Sequence, residues 1–181
     1  MNMQDWNIVV TVRDTGFKRI LKFLQDFGEV RKTEFFNVLV LRVDDVSQFT
    51  EDMKEEVEAD PSLFDFMNHV IPTSTWFTFQ TPQQFETKAR DAVLPWVKDL
   101  VNKSFHVRVH RRGFKKRLSS LEEEQFLDGF LLGRLEEAGT PGRICFENPD
   151  VIIAVEIVGQ RAGLSLWTRE DRQSYSFLNL D

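Results

Sequence analysis

The sequence predicts an α/β (α+β) protein of two domains. A ferredoxin-like βαββαβ domain is expected over residues 1–80, and a second α/β domain over residues 81–181. Three observations carry this. Hydrophobic periodicity in the first 80 residues changes in the order strand, helix, strand, strand, helix, strand. A new helix start, "QTPQQFE", follows directly. The chain has 181 residues, of which 41% are hydrophobic, with 17 phenylalanines and 4 tryptophans, enough apolar material to exclude general disorder.

The first strand is "WNIVVTV" (6–12). In "GFKRILKFLQDFG" (16–28), Phe17, Ile20, Leu21, Leu24 and Phe27 recur at helical spacing, and Gly28 is a stop signal. "EVRKTEF" and "NVLVLRV" read as strands around a turn near Phe36-Asn37. A helix is expected over 44–60, with Val46, Phe49, Met53 and Val57 on one face, an acidic opposite face, and Asp45 and Gln48 at capping-box spacing. "SLFDFMNHV" is ambiguous, with a short extra helical turn as one reading. "TSTWFTF" (73–79) is expected to close the domain as its fourth strand. The same topology serves RNA-recognition modules, but their third strand exposes aromatics. "NVLVLRV" has none and a single arginine, which makes that module a poor fit.

In the second half, Thr81 is the expected N-cap, Pro82 the first helical residue, and Gln84 the partner in a capping box. A stripe of Phe85, Ala89, Val93, Trp96, Val97 and Leu100 carries the helix to about residue 101. The strand "FHVRVHRR" follows. Ser120 and Glu123 have capping-box spacing at the start of a helix to about Ala138, which Gly139, Pro141 and Gly142 end. "RICFENP", "DVIIAVEIVG" and "GLSLWTR" read as three strands, and "EDRQSYSFLNLD" as a last short helix. Gly129 and Gly133, one helical turn apart, suggest close packing of their helix.

The chain is acidic, with a net charge of −6, which argues against indiscriminate binding of nucleic acid or anionic membrane. Yet "SFHVRVHRRGFKKRLSS" (104–120) contains Arg108, Arg111, Arg112, Lys115, Lys116 and Arg117 with no acid between. Without those six, the rest holds 17 basic residues against 29 acidic ones. Strand alternation puts Phe105, Val107 and Val109 on one face and His106, Arg108, His110 and Arg112 on the other. The strand ends at Gly113. A basic loop then leads into a helix capped near Ser119 and Ser120, whose first N–H groups suit an anion. On pattern alone two readings stand open: a phosphate-binding surface, or a solvated face neutralised by the chain's own acids.

Other classes are poorly supported. One cysteine, Cys145, allows no intramolecular disulfide, and its apolar neighbours suggest a small core residue rather than a nucleophile. No signal peptide and no membrane-spanning run is present, so a cytoplasmic protein with no membrane partner is expected. The nine glycines give neither a dinucleotide fingerprint nor a phosphate-binding loop. His106 and His110 lie among arginines, and no zinc-type ligand set exists. No cofactor, no metal, no catalytic residue and no enzymatic activity are therefore expected.

"SFHVRVHRRG…SSLEEE…G" followed by "ICFENPDVIIAVEIVG" resembles the THUMP domain, an RNA-binding module. The module occurs in 4-thiouridine synthetases, RNA methyltransferases, pseudouridine synthases and an adaptor of RNA cytidine acetyltransferase. The match rests on Phe105, Val107, Arg108 and Arg111 in the strand, Ser119, Ser120 and Glu122 at the helix start, and Asn148-Pro149-Asp150 before the next strand. The family's usual neighbour is an N-terminal ferredoxin-like domain. The resemblance implies a THUMP-like domain at residues 81–181 that binds tRNA by its 3′ CCA end. It names Arg108, His110, Arg111, Arg112, Lys115, Lys116, Arg117, Ser119 and Ser120 as RNA-binding candidates. Phe114 is either a base-stacking ring or a plug in the core. The expected role is non-catalytic: presentation of tRNA to a separate RNA-modification enzyme, with cytidine acetyltransferase as the family precedent. The alternatives are a protein–protein module with a basic docking strip, and an RNA-modifying enzyme with an unrecognised site.

Overall fold

A computed structural model describes residues 5–180. It is an α+β structure with two sheets, and it divides into two compact units. One takes the chain up to Ser74 and resumes at Arg172; the other is Thr75–Asp171.

The first unit contains β1 (Ile8–Val12), α1 (Phe17–Leu24), β2 (Glu29–Lys32), β3 (Val38–Arg42), α2 (Val46–Ala59) and β4 (Met67–Pro72). Its antiparallel sheet has the order β2-β3-β1-β4, which with the βαββαβ succession is the ferredoxin-like arrangement. The helix α2 starts as its sequence dictates: the Asp45 carboxylate accepts the Gln48 N–H at 2.9 Å, and Phe49, Met53 and Val57 are buried. Gly28 is required by close approach, since a Cβ there would lie 2.3 Å from the Arg42 carbonyl oxygen.

The fourth strand differs from the sequence expectation. It is Met67–Pro72, paired with β1, and not 73–79. Leu63 begins the apolar return inside a short 3-10 turn, Pro61–Asp65, and Met67, Val70 and Ile71 bury their side chains. Asn68 and His69 interrupt the apolar pattern, which hides the strand; His69 meets the Thr11 hydroxyl at 2.9 Å. The tail also returns to this unit, where the Phe177 carbonyl accepts the Val70 N–H at 2.9 Å and Phe177, Leu178 and Leu180 are buried.

The second unit contains β5 (Thr75–Thr78), α3 (Pro82–Val93), β6 (Ser104–Arg112), α4 (Ser120–Glu137), β7 (Arg143–Ile144), β8 (Val151–Val158) and β9 (Arg161–Thr168); α5 (Arg169–Ser174) follows at the boundary. Its sheet has the order β5-β9-β8-β6-β7. The strand β6 runs parallel to β8 and β7, while β9 is antiparallel to β8 and β5. Every residue of β8 is buried, as expected of a central strand with a near-continuous apolar run. Phe105, Val107 and Val109 of β6 share a core with Phe85, Ala89 and Val93 of α3 and Leu127, Leu131 and Leu135 of α4.

Candidate nucleic-acid interface

The strand β6 is held along the edge away from β8 by acidic side chains of α4. The strand β7 covers only its first two residues. Beyond them the Val107 N–H donates to Asp128 and the Val109 N–H to Glu124, each at 2.8 Å. Two residues along a strand and four along a helix each advance about 6–7 Å, so the spacings match. The same helix thus satisfies backbone donors on a strand edge that would otherwise be open. Burial raises the Asp128 carboxyl to about 7, although the Val107 N–H pulls the other way. Glu123 is also buried and rises to about 7, first through burial and then through Glu86 and Glu122; among the described residues its Oε2 has no hydrogen-bond partner.

The register carries α4 and β6 together to the loop 113–119. Gly113, Phe114 and Lys116 adopt positive φ values of 102°, 50° and 68°. The Phe114 carbonyl accepts from the Arg117 N–H at 2.9 Å and the Leu118 N–H at 3.1 Å. Leu118 is buried, and the Phe114 ring lies 4.9 Å from Phe79. The loop is therefore pinned from within, and it turns Lys115, Lys116 and Arg117 into solvent. Arg117 spans the Phe114 ring at 5.0 Å and donates to the Gln80 carbonyl. Arg111 falls on the helix-covered side of β6, half-buried, and donates to the Gly113 carbonyl.

Several sequence candidates make contacts within the protein. Arg112 and His110 share the Glu156 carboxylate, which is fully buried; the His110 Nδ1 contact is 2.6 Å. Both side chains are thus engaged by one of the chain's own acids, and drawing Arg112 onto a phosphate would weaken the pairing of a buried charge. Phe114 is partly buried against the core, with Phe79 beside its ring and Arg117 over it. Ser119 is the N-cap of α4, accepting the Glu122 N–H at 3.4 Å, one residue earlier than the expected cap at Ser120. Ser120 is half-buried in the first turn. With Glu122, Glu123 and Glu124 following, the start of α4 is a poor seat for a further anion. Arg108 is half-buried on the His110–Arg112 side of the strand. Among the described residues, nothing beyond their own helix backbone lies within 4 Å of a Cβ added at Gly129 or Gly133, so close packing is not their reason.

Glu156 was missed from sequence. Its signal is a lone carboxylate inside "VIIAVEIV", where a buried charge demands a partner. Asp150 is similarly committed: it accepts the Ser104 N–H and hydroxyl at 2.8 Å and pairs with Arg169 at 3.0 Å. Those bonds, the Ser104 N–H first, hold its carboxyl below the usual range. Among the described residues no helix is long and apolar enough to cross a membrane.

Neither a protein-family model nor a curated protein sequence matches the chain. Solved structures do share its fold. PH1313 from Pyrococcus horikoshii matches with a TM-score of 0.57 and 13% identity, over 89% of this chain and 54% of that one. TrmN from Thermus thermophilus matches at 0.55 and 16%, over 89% and 44%. A 4-thiouridine synthetase, solved with RNA and bound ATP, matches at 0.50 and 15%, over 91% and 42%. The chain thus spans about half the length of these proteins, and the likeness is one of fold. It corrects the expectation that the chain is no enzyme: the fold occurs in a synthetase and in proteins described as a methylase and a methyltransferase.

Proposed function

We propose that this chain is an RNA-binding part of the RNA-modification machinery, with a THUMP-like unit that holds tRNA near its 3′ CCA end. The observation that carries the reading is the pinned loop, which presents Lys115, Lys116 and Arg117 to solvent in a chain of net charge −6. Concentrated cations on a fixed backbone suit a phosphate chain, and the acidic remainder keeps such binding local. The fold likeness to a 4-thiouridine synthetase solved with RNA supports it, since that class of enzyme is one in which the THUMP module occurs. Arg108 and Arg111 flank the loop along the strand. Phe114 and Ser119 support it from within, while His110 and Arg112 are held by Glu156.

The tRNA so held is presented to an RNA-modification enzyme, for which the family's adaptor points to a cytidine acetyltransferase. The test is binding of tRNA with and without its CCA end, followed by nucleoside analysis after incubation with that enzyme. Faster modification at limiting tRNA in the presence of this chain supports the presentation role through raised local concentration. No change in rate refutes that role, and indifference to CCA removal refutes the binding mode. The same incubation without the enzyme, with group donors, reads any chemistry made by this chain.

A further inference from the structure

We propose that Trp76 is a stacking platform for one unpaired base of RNA, whose backbone then follows the β5 edge past Lys88 and Arg117 to the basic loop. The proposal rests on the RNA-binding reading above and adds a site to it. Trp76 is 53% exposed although it lies within a strand. The strand β5 is an edge of its sheet. Opposite Trp76 stands Gly163, which has no side chain to cover. Beneath the indole lies the Arg161 guanidinium, 3.9 Å from the ring centroid and buried to 1% exposure. A ring backed by a buried cation is fixed in place, and stacking on it costs little ordering.

A plain structural reading is that the indole merely shields Gly163. That accounts for one face of the ring but not for what lies along the edge. Lys88 donates to the Thr78 carbonyl at 2.6 Å, and Arg117 to the Gln80 carbonyl at 3.4 Å. Thr78 and Gln80 lie roughly 7 and 13 Å along an extended chain from Trp76. Both cations are exposed, and Lys115 and Lys116 follow in the loop. No acidic residue occurs from Thr75 to Gln84 or from Ser104 to Ser120. An aromatic platform at the head of a cationic track is what single-stranded nucleic acid recognises: stacking for a base, charge for the phosphates.

The test is a fluorescence and affinity titration of the whole chain with a short single-stranded RNA ending in CCA, and with the same oligonucleotide abasic at its last three positions. Trp6 is fully buried and Trp96 and Trp167 are half-buried, so Trp76→Phe isolates the signal of Trp76. RNA should quench wild-type emission, and Trp76→Phe should lose most of that quench while binding nearly as well. Trp76→Ala should bind on the order of tenfold more weakly. The abasic oligonucleotide should bind wild type more weakly, yet bind Trp76→Ala and wild type alike. If Trp76→Ala does not fold, the quench in Trp76→Phe and the abasic comparison decide. Undiminished binding by Trp76→Ala, with binding lost in Lys115→Glu/Lys116→Glu, overturns the platform and leaves the RNA reading intact. Absence of any binding by wild type overturns both.

Discussion

Replacing Asp128 by asparagine should flatten the pH dependence of stability. The carboxylate is 6% exposed, and its Oδ1 accepts the Val107 N–H of β6. Burial raises its pKa to about 7 in the folded protein, against about 3.9 in an unfolded chain. A carboxyl raised in this way favours folding below its unfolded pKa, and the contribution disappears as pH rises through the folded value. Between about pH 8.5 and about pH 5.5 the wild type should gain roughly 2 kcal/mol from this group, because the folded form holds one more proton than the unfolded form over about 1.5 pH units, at ~1.4 kcal/mol per unit. Asparagine keeps an acceptor for the Val107 N–H but does not titrate. The difference in melting temperature between the two proteins should therefore change by about 4–8 °C over that interval, with wild type gaining at the acid end. Glu123 contributes a similar slope to both proteins and cancels in the comparison. Parallel melting profiles across the whole range would show that Asp128 is not held near 7, and the reading of burial as the dominant influence on its carboxyl would fail.

Removing Arg112 should act on stability more than on RNA: Arg112→Ala leaves the buried Glu156 with one partner fewer, and denaturant unfolding should show a loss of about 3 kcal/mol. The double change Arg112→Met with Glu156→Gln should recover much of that loss, because no uncompensated charge remains. Gly129→Ala and Gly133→Ala should each raise stability by up to about 1 kcal/mol, since an added methyl meets nothing within 4 Å and helix propensity improves; a drop in stability would restore the close-packing reading. Phe114→Ala should cost about 2 kcal/mol through lost contact with Phe79, detectable by thermal melting.

The regular parts of both units are legible in the sequence because local periodicity and caps agree with the fold. Asp45 and Thr81 cap their helices as their spacing dictates, accepting the N–H groups of Gln48 and Gln84. The fate of "TWFT" is not legible: a short strand carries no mark of which sheet will pair with it, and β9 takes it into the second unit. The basic segment is only half legible. Its charge is visible, but whether a cation meets solvent or a carboxylate depends on register. The pairing of β6 with β8 places His110 directly beside Glu156, and Arg112 reaches the same carboxylate. The hold of α4 on the β6 edge is hidden for the same reason, since Glu124 and Asp128 look like solvent-facing acids until the helix is placed against the strand.

The most direct test of the central claim is the affinity of the whole chain for tRNA after charge reversal of the loop, Lys115→Glu with Lys116→Glu. The control is reversal of exposed acids on α2, Glu55→Lys with Glu56→Lys. The loop variant should lose at least about tenfold in affinity and show a shallower dependence on salt, because two cations that release counterions are gone. The control should bind no more weakly than wild type. Equal affinity of the loop variant and wild type for tRNA, with both proteins folded, would contradict the claim that the pinned loop is where this chain holds RNA.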